Sequence, residues 1–308
     1  MDAKRDKFYI TAEFYLVFMT IIWGGTFIFI KLSLDSLSPS LFLILRFTIA
    51  LGCALIFWKS DLSKVNRSTF GIGLLVGLVM FGGYYFQTAG LEYTTATQSG
   101  FITGAYVVII PMLESIWTRR IPKFSILLAV VIVFIGIFLI SIGDKGIDTQ
   151  DFHFALQWGD ILTLIGAFFF ALYILLIDIV SKKYHEVSLI LGQLTAASIL
   201  AGILLGIDWF YDPSKVKMEF SNSAWFGIFY TGVIATIVPV WVQTRFQKAV
   251  TPTRAGLIFS LEPVFASLFA FFVVGELLGV IGLIGCSIVF VGVILTSIPH
   301  KKIRNHEN

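Results

Sequence analysis

Residues 87–100, QTAGLEYTTATQSG, and residues 243–256, QTRFQKAVTPTRAG, lie 156 positions apart and share Gln87/Gln243, Thr88/Thr244, Thr95/Thr251, Thr97/Thr253 and Gly100/Gly256. The same offset carries Phe134, Gly136, Leu139 and Ser141 onto Phe290, Gly292, Leu295 and Ser297. An offset of about half the chain length says that the chain is built twice. The two copies differ in charge. Between Gln87 and Gln98 there is no Lys or Arg, whereas the matching stretch holds Arg245, Lys248 and Arg254. The next pair of loops reverses this, with Arg119, Arg120 and Lys123 in the first copy and Gly275-Glu276-Leu277 in the second. Lys and Arg accumulate on one face of a membrane, so related loops are expected on opposite faces.

Composition names the solvent. Of 308 residues, 57% are hydrophobic and 13% charged, against about 25% charged in soluble domains, which excludes most water-soluble enzymes. A bilayer core needs about 20 apolar residues per helix. Ten windows meet that need, near 14–34, 40–58, 70–90, 96–117, 124–142, 158–180, 187–206, 222–244, 252–275 and 277–298. The first is too long for a signal-peptide core and lacks an A-x-A exit, so it reads as a retained span.

Ten spans return both termini to one side. With the N-terminus inside, 17 of the 22 Lys and Arg residues fall in inner segments, and only Lys31, Lys145, Lys215 and Lys217 in outer ones. The one that remains, Arg46, lies deep within a span. The sequon at Asn66 then faces the cytoplasm. Five spans per copy is an odd number, so the second copy enters from the opposite side and the repeat is inverted in topology. The fold expected is all-α and polytopic, ten transmembrane helices in two inverted five-helix repeats at 12–143 and 157–299. The net charge is +3, Cys53 and Cys286 sit in apolar runs, and His153, His185, His300 and His306 lie outside them, so neither disulfide framework nor metal site is indicated.

Short motifs in order along the chain resemble the EamA-type branch of the drug/metabolite transporter superfamily. They are Trp23-Gly24-Gly25-Thr26-Phe27 followed by Lys31, Pro39 with Arg46-Phe47, Gly159-Asp160 with Ala171-Leu172-Tyr173, and Leu261-Glu262-Pro263-Val264-Phe265-Ala266 ending in Gly275-Glu276. Phe170 stands where the family often has Trp. The resemblance implies alternating access and a central cavity lined mainly by spans 1, 3, 4, 6, 8 and 9. It implies a broad cargo class of amino acids, other metabolites, nucleotide-linked sugars or drugs.

On those spans the candidate cavity residues are Trp23, Thr26, Tyr84, Tyr85, Gln87, Tyr106, Tyr173, Trp241, Gln243 and Glu262. Such aromatic and amide side chains make an amphipathic wall, although interfacial anchoring claims many membrane aromatics. Glu262 is an acid near mid-membrane, where a charge costs about 2.5–3.5 kcal/mol on insertion scales. Its competing roles are proton coupling, holding a substrate ammonium, and anchoring the Pro263 kink. Arg46 meets a similar penalty and is expected to snorkel or to find an acid or carbonyl on a neighbouring helix. Pro263 and Pro239 remove backbone donors and free the carbonyls of Phe259 and Ala235. Gly83, the repeat mate of Pro239, completes a candidate hinge set. Thr251-Pro252 reads as an N-cap and first-turn proline. Lys31, Glu114, Asp160 and Asp178 are gate candidates, with hydrated helix ends as the plainer alternative.

The function expected is secondary export or exchange of small amphipathic metabolites such as amino acids. The alternatives are a phosphorylated-sugar or nucleotide-sugar antiporter, or a multidrug efflux carrier. The sequence has no G-x-x-x-x-G-K-[ST] loop, no H-E-x-x-H and no G-x-S-x-G, so neither an ATP motor nor an intramembrane enzyme is expected. The partners expected are a small-molecule substrate, the lipid bilayer and a coupling proton, without nucleic acid or cofactor; a homodimer stays open. The expected location is the inner cell membrane, with both termini cytoplasmic.

Overall fold

The computed structural model describes residues 2–143, 157–275 and 279–297. Side chains at 2–7, 141–143, 274 and 296–297 are not described, so Lys4, Arg5, Lys7, Ser141 and Ser297 lie outside the account. So do Lys145, His153, Glu276, Leu277, residues 298–299 of the expected second repeat, His300, Lys301, Lys302, Arg304 and His306.

Among the described residues the chain is all helical. The helices are α1 (Asp2–Leu34), α2 (Pro39–Phe57), α3 (Arg67–Tyr93), α4 (Ala96–Thr103), α5 (Tyr106–Thr118), α6 (Phe124–Gly143) and α7 (Trp158–Ser181). They continue with α8 (Glu186–Tyr211), α9 (Asn222–Phe229), α10 (Val238–Phe246), α11 (Pro252–Phe259), α12 (Glu262–Val274) and α13 (Val280–Ser297). Eight units are long and apolar enough to cross a membrane, with α4–α5, α9–α10 and α11–α12 each acting as one. The apolar parts of the other two, Phe124–Ile140 and Val280–Leu295, are shorter than that. Among the described residues, eight of the ten expected spans therefore stand as membrane-length apolar units.

Capping explains where several helices begin. Asn66 Oδ1 accepts the backbone N–H groups of Ser68 and Thr69 at the start of α3, which ties the sequon's side chain to a structural task. Thr95 and Thr251 are repeat mates and make the same cap, accepting from Gln98 N and Arg254 N at 3.1 and 3.2 Å. Gly275, at φ 75°, ends α12 in the left-handed region that glycine tolerates.

Two helices are interrupted at matching places. The α4–α5 span breaks at Gly104–Ala105 and the α11–α12 span at Ser260–Leu261, again 156 residues apart. The backbone bonds correspond one for one: Gly104 N to Gly100 O and Ala105 N to Ile102 O in one, Ser260 N to Gly256 O and Leu261 N to Ile258 O in the other. Each break is thus a single tightened turn. Pro263 follows the second break inside the first turn of α12, where a missing N–H is tolerated. The α9–α10 span is also irregular, with a π-helical segment at Tyr230–Ile237 just before Pro239. By contrast α3 runs unbroken through Gly83, where a Cβ would meet the Phe170 ring at 2.7 Å. That glycine makes room for a neighbour within a continuous helix.

Lipid offers no hydrophobic drive between helices, so close approach at small residues holds such bundles together. A Cβ on Gly136 would lie 2.8 Å from Val289 and 2.9 Å from the Gly285 carbonyl, and one on Gly292 would lie 2.5 Å from Val133 and 3.5 Å from the Ala129 carbonyl. These contacts are reciprocal under the 156-residue offset. As residue number rises along α6 it falls along α13, so the two helices pack antiparallel. Gly73 and Gly77 seat α3 on the Leu189 and Gln193 carbonyls of α8 in the same way.

Candidate functional site

Four helical stretches each turn two side chains three residues apart toward one central space. They are Trp23 and Thr26 on α1, Tyr84 and Gln87 on α3, Thr103 and Tyr106 across the first break, and Phe170 and Tyr173 on α7. A spacing of three keeps both on one helical face. Ile174 and Glu262 complete the lining of this partly open space. The walls are aromatic and the space between them is narrow.

Glu262 opens α12 directly after the second break and is only 6% exposed. Tyr106 opens α5 directly after the first and donates its phenol to Glu262 Oε2 at 3.2 Å. These two residues are themselves separated by 156. A residue that touches its own repeat mate lies at the axis relating the two copies, so the acid stands where the halves meet. Nearby, Gln87 Nε2 donates to Thr103 Oγ1 at 3.1 Å, and Tyr173 donates to Gln193 Oε1 at 2.9 Å. The indole N–H of Trp23 is buried and faces the Tyr84 hydroxyl.

Three sequence candidates fall elsewhere. Tyr85 follows Tyr84 by one position, about 100° around the helix, and lies parallel to Phe81 with ring centroids 6.1 Å apart. Trp241 packs edge-on against Tyr15 and Phe246. Gln243 donates to Gln247, which in turn donates to the Ile174 carbonyl at 2.7 Å. Thr103, Phe170 and Ile174 were missed by sequence reasoning. Phe170 lies three residues before Tyr173 and four before Ile174, so the helical period counted back from Tyr173 could have found Phe170, while Ile174, about 100° around from Tyr173, could not be found that way.

Arg46 is fully buried and does not snorkel. Its Nε donates to Thr236 Oγ1 at 2.9 Å and its Nη2 to the Ala235 carbonyl at 3.4 Å. That carbonyl is the one that Pro239 leaves without its helical donor, so the guanidinium fills the gap in the π-helical segment. Its carbon lies 4.3 Å from the Tyr84 ring centroid. Tyr84 lines the cavity and Arg46 does not.

The gate candidates are bonded within the protein. At the end of the bundle that carries the start of α1, Arg254 Nε donates to Glu13 at 2.8 Å and Nη1 to the Val293 carbonyl at 2.7 Å. Beside it Glu114 accepts both the backbone N–H and the hydroxyl of Thr253. At the other end Lys31 donates to the Leu91 carbonyl, and Asp160 accepts from Thr94 and from the Gln157 backbone. Asp178 pairs with Lys182 at 2.7 Å.

The family model described as the EamA-like transporter family matches twice, at residues 10–142 and 157–298. An uncharacterized transporter of Archaeoglobus fulgidus is 32% identical over 93% of this chain and 86% of its own length. A second from the same organism is 28% identical over 92% and 96%. The uncharacterized transporter YdfC of Bacillus subtilis is 22% identical over 91% and 89%. One solved crystal structure superposes with a TM-score of 0.74, covering 93% of this chain and 96% of that one at 16% identity, and so shares the fold. With both halves matched, the chain belongs to the EamA-like transporter family and is a multi-pass membrane transporter.

Proposed function

We propose that this chain is a secondary carrier that moves a small amphipathic solute by alternating access. It does so through two inverted five-helix repeats at 12–143 and 157–299, which close around the cavity described above. One observation carries the reading. Tyr106 and Glu262, repeat mates at the two helix breaks, meet across that cavity. The antiparallel, reciprocal packing of α6 on α13 supports inversion, because equivalent helices that run antiparallel are related by an axis lying in the membrane plane. In this reading α6 and α13 cross the membrane as well, giving ten crossings. The broken spans give each half a point about which to swing.

Trp23, Thr26, Tyr84, Gln87, Tyr106, Tyr173 and Glu262 contact the solute, with Thr103, Phe170 and Ile174 completing the wall. Pro239 and Pro263 mark the flexible spans. Both termini lie on the Lys- and Arg-rich cytoplasmic side of the cell membrane, and a proton gradient drives export or exchange. An anion antiporter would need cations on its wall, whereas Arg46 stands behind Tyr84. The test is counterflow in proteoliposomes with a labelled panel of amino acids, amines and sugar phosphates. Saturable exchange of one class supports the carrier; leak alone, or exchange requiring ATP, refutes it.

A further inference from the structure

We infer that the solute carries a positively charged nitrogen, held by Glu262 inside a cage formed by Trp23, Tyr84, Phe170 and Tyr173. The proposal rests on the carrier reading and specifies its cargo. Half of the ten residues lining the cavity are aromatic, counting Tyr106. Among the described residues Glu262 is the one acid on the wall, and no Lys or Arg lines it. The faces of aromatic rings attract cations and repel anions, with a gain on the order of two- to thirtyfold in affinity per well-placed ring.

The polar groups point the same way. The amide donor of Gln87 and the hydroxyls of Thr26 and Tyr173 are bonded to Thr103, the Trp23 carbonyl and Gln193. Glu262 takes one hydrogen bond, from Tyr106 to Oε2. A carboxylate so placed can accept from an ammonium or lie against a quaternary nitrogen. An anionic solute would find a carboxylate and ring faces, with the Arg46 guanidinium turned to Thr236 and Ala235 behind the Tyr84 ring.

The experiment titrates the purified full chain with tetramethylammonium, tert-butanol and acetate, which have related sizes and charges of +1, 0 and −1. Binding is read by calorimetry and by thermal midpoint. Tetramethylammonium is expected to bind saturably and the other two at least tenfold more weakly. Glu262→Gln is expected to weaken tetramethylammonium at least tenfold, and Trp23→Leu two- to thirtyfold. Tyr106→Phe keeps the ring and removes the phenol that competes for the carboxylate, so it is expected to tighten binding, an effect no general loss of structure imitates. Absence of tetramethylammonium binding, equal binding of tert-butanol or acetate, or weakened binding in Tyr106→Phe overturns the proposal. Counterflow separates the two readings. Exchange of neutral or anionic solutes alone keeps the carrier and removes the cation cage. Cation binding without exchange of any solute class removes the carrier and keeps the cage.

Discussion

The ion pair between Glu13 and Arg254 joins the first half of α1 to the start of α11, one element from each half, and its removal should open the cavity toward the end of the bundle where α11 begins. The pair is 2.8 Å long, with side chains 20% and 9% exposed, so water screens it little. Glu13→Gln keeps the shape and removes the charge. The amide oxygen still accepts from Arg254, so only the difference between a charged and a neutral hydrogen bond is lost, about 1–1.5 kcal/mol, and at about 1.4 kcal/mol per tenfold that shifts the closed-to-open ratio at that end by about 5- to 10-fold. Arg254 keeps its bond to the Val293 carbonyl, and Glu114 still holds Thr253, so the helix start stays anchored. The assay places one cysteine on the cavity wall, Thr103→Cys, in a chain whose two native cysteines are replaced by serine. A membrane-impermeant thiol reagent is then added to either side of oriented vesicles. Labelling from the side of the α1 start should rise about fivefold or more in Glu13→Gln, and labelling from the other side should fall. An unchanged rate from both sides, or a rise from the far side, refutes the reasoning that this pair closes that end.

Three further outcomes follow from the geometry. In Glu262→Gln, the residual counterflow measured at raised solute concentration should lose its pH dependence; persistence of the full wild-type dependence removes Glu262 from proton coupling. Gly136→Val places a side chain where Val289 and the Gly285 carbonyl already stand within 3 Å of the Cβ position, and overpacking of this kind costs about 1–3 kcal/mol. Its thermal midpoint should fall by several degrees, while Gly52→Val, with open space at the Cβ position, should not match that fall. Trp241→Ala should lower the thermal midpoint and leave the profile of exchanged solutes unchanged, because Trp241 packs on Tyr15 and Phe246 away from the cavity; a changed profile would return it to the wall.

Much of the architecture was legible because lipid imposes coarse rules. Apolar windows of about 20 residues and the alternation of Lys and Arg report the solvent directly, and the 156-residue offset that aligns Gln87 with Gln243 also aligns the two helix breaks. The break at Gly104–Ala105 was not read, since nothing like Pro263 follows it; only projection of Ser260–Leu261 through the repeat would have found it. Pro263 did mark its own break, but the interruption falls at the turn just before it. For Gly83, poor helix propensity suggested a bend, and the neighbouring Phe170 ring shows that space is a requirement there too. The cavity list failed where facing mattered. Tyr84 and Tyr85 point about 100° apart around α3, and which of them reaches the cavity depends on how α3 is rotated against α7, a tertiary fact. Arg46 was legible as a buried charge needing a carbonyl. That the carbonyl would be Ala235, freed by Pro239, depends on which helix packs beside α2.

Alternating access of the kind proposed needs two oppositely threaded halves, and repeat mates test that threading most directly. Glu92 and Lys248 are such mates, at the ends of α3 and the α9–α10 span. Single cysteines at these positions, probed in intact cells with an impermeant thiol reagent, should react from opposite sides, Glu92→Cys from outside and Lys248→Cys only after the cytoplasmic face is exposed. Reaction of both from the same side would contradict it.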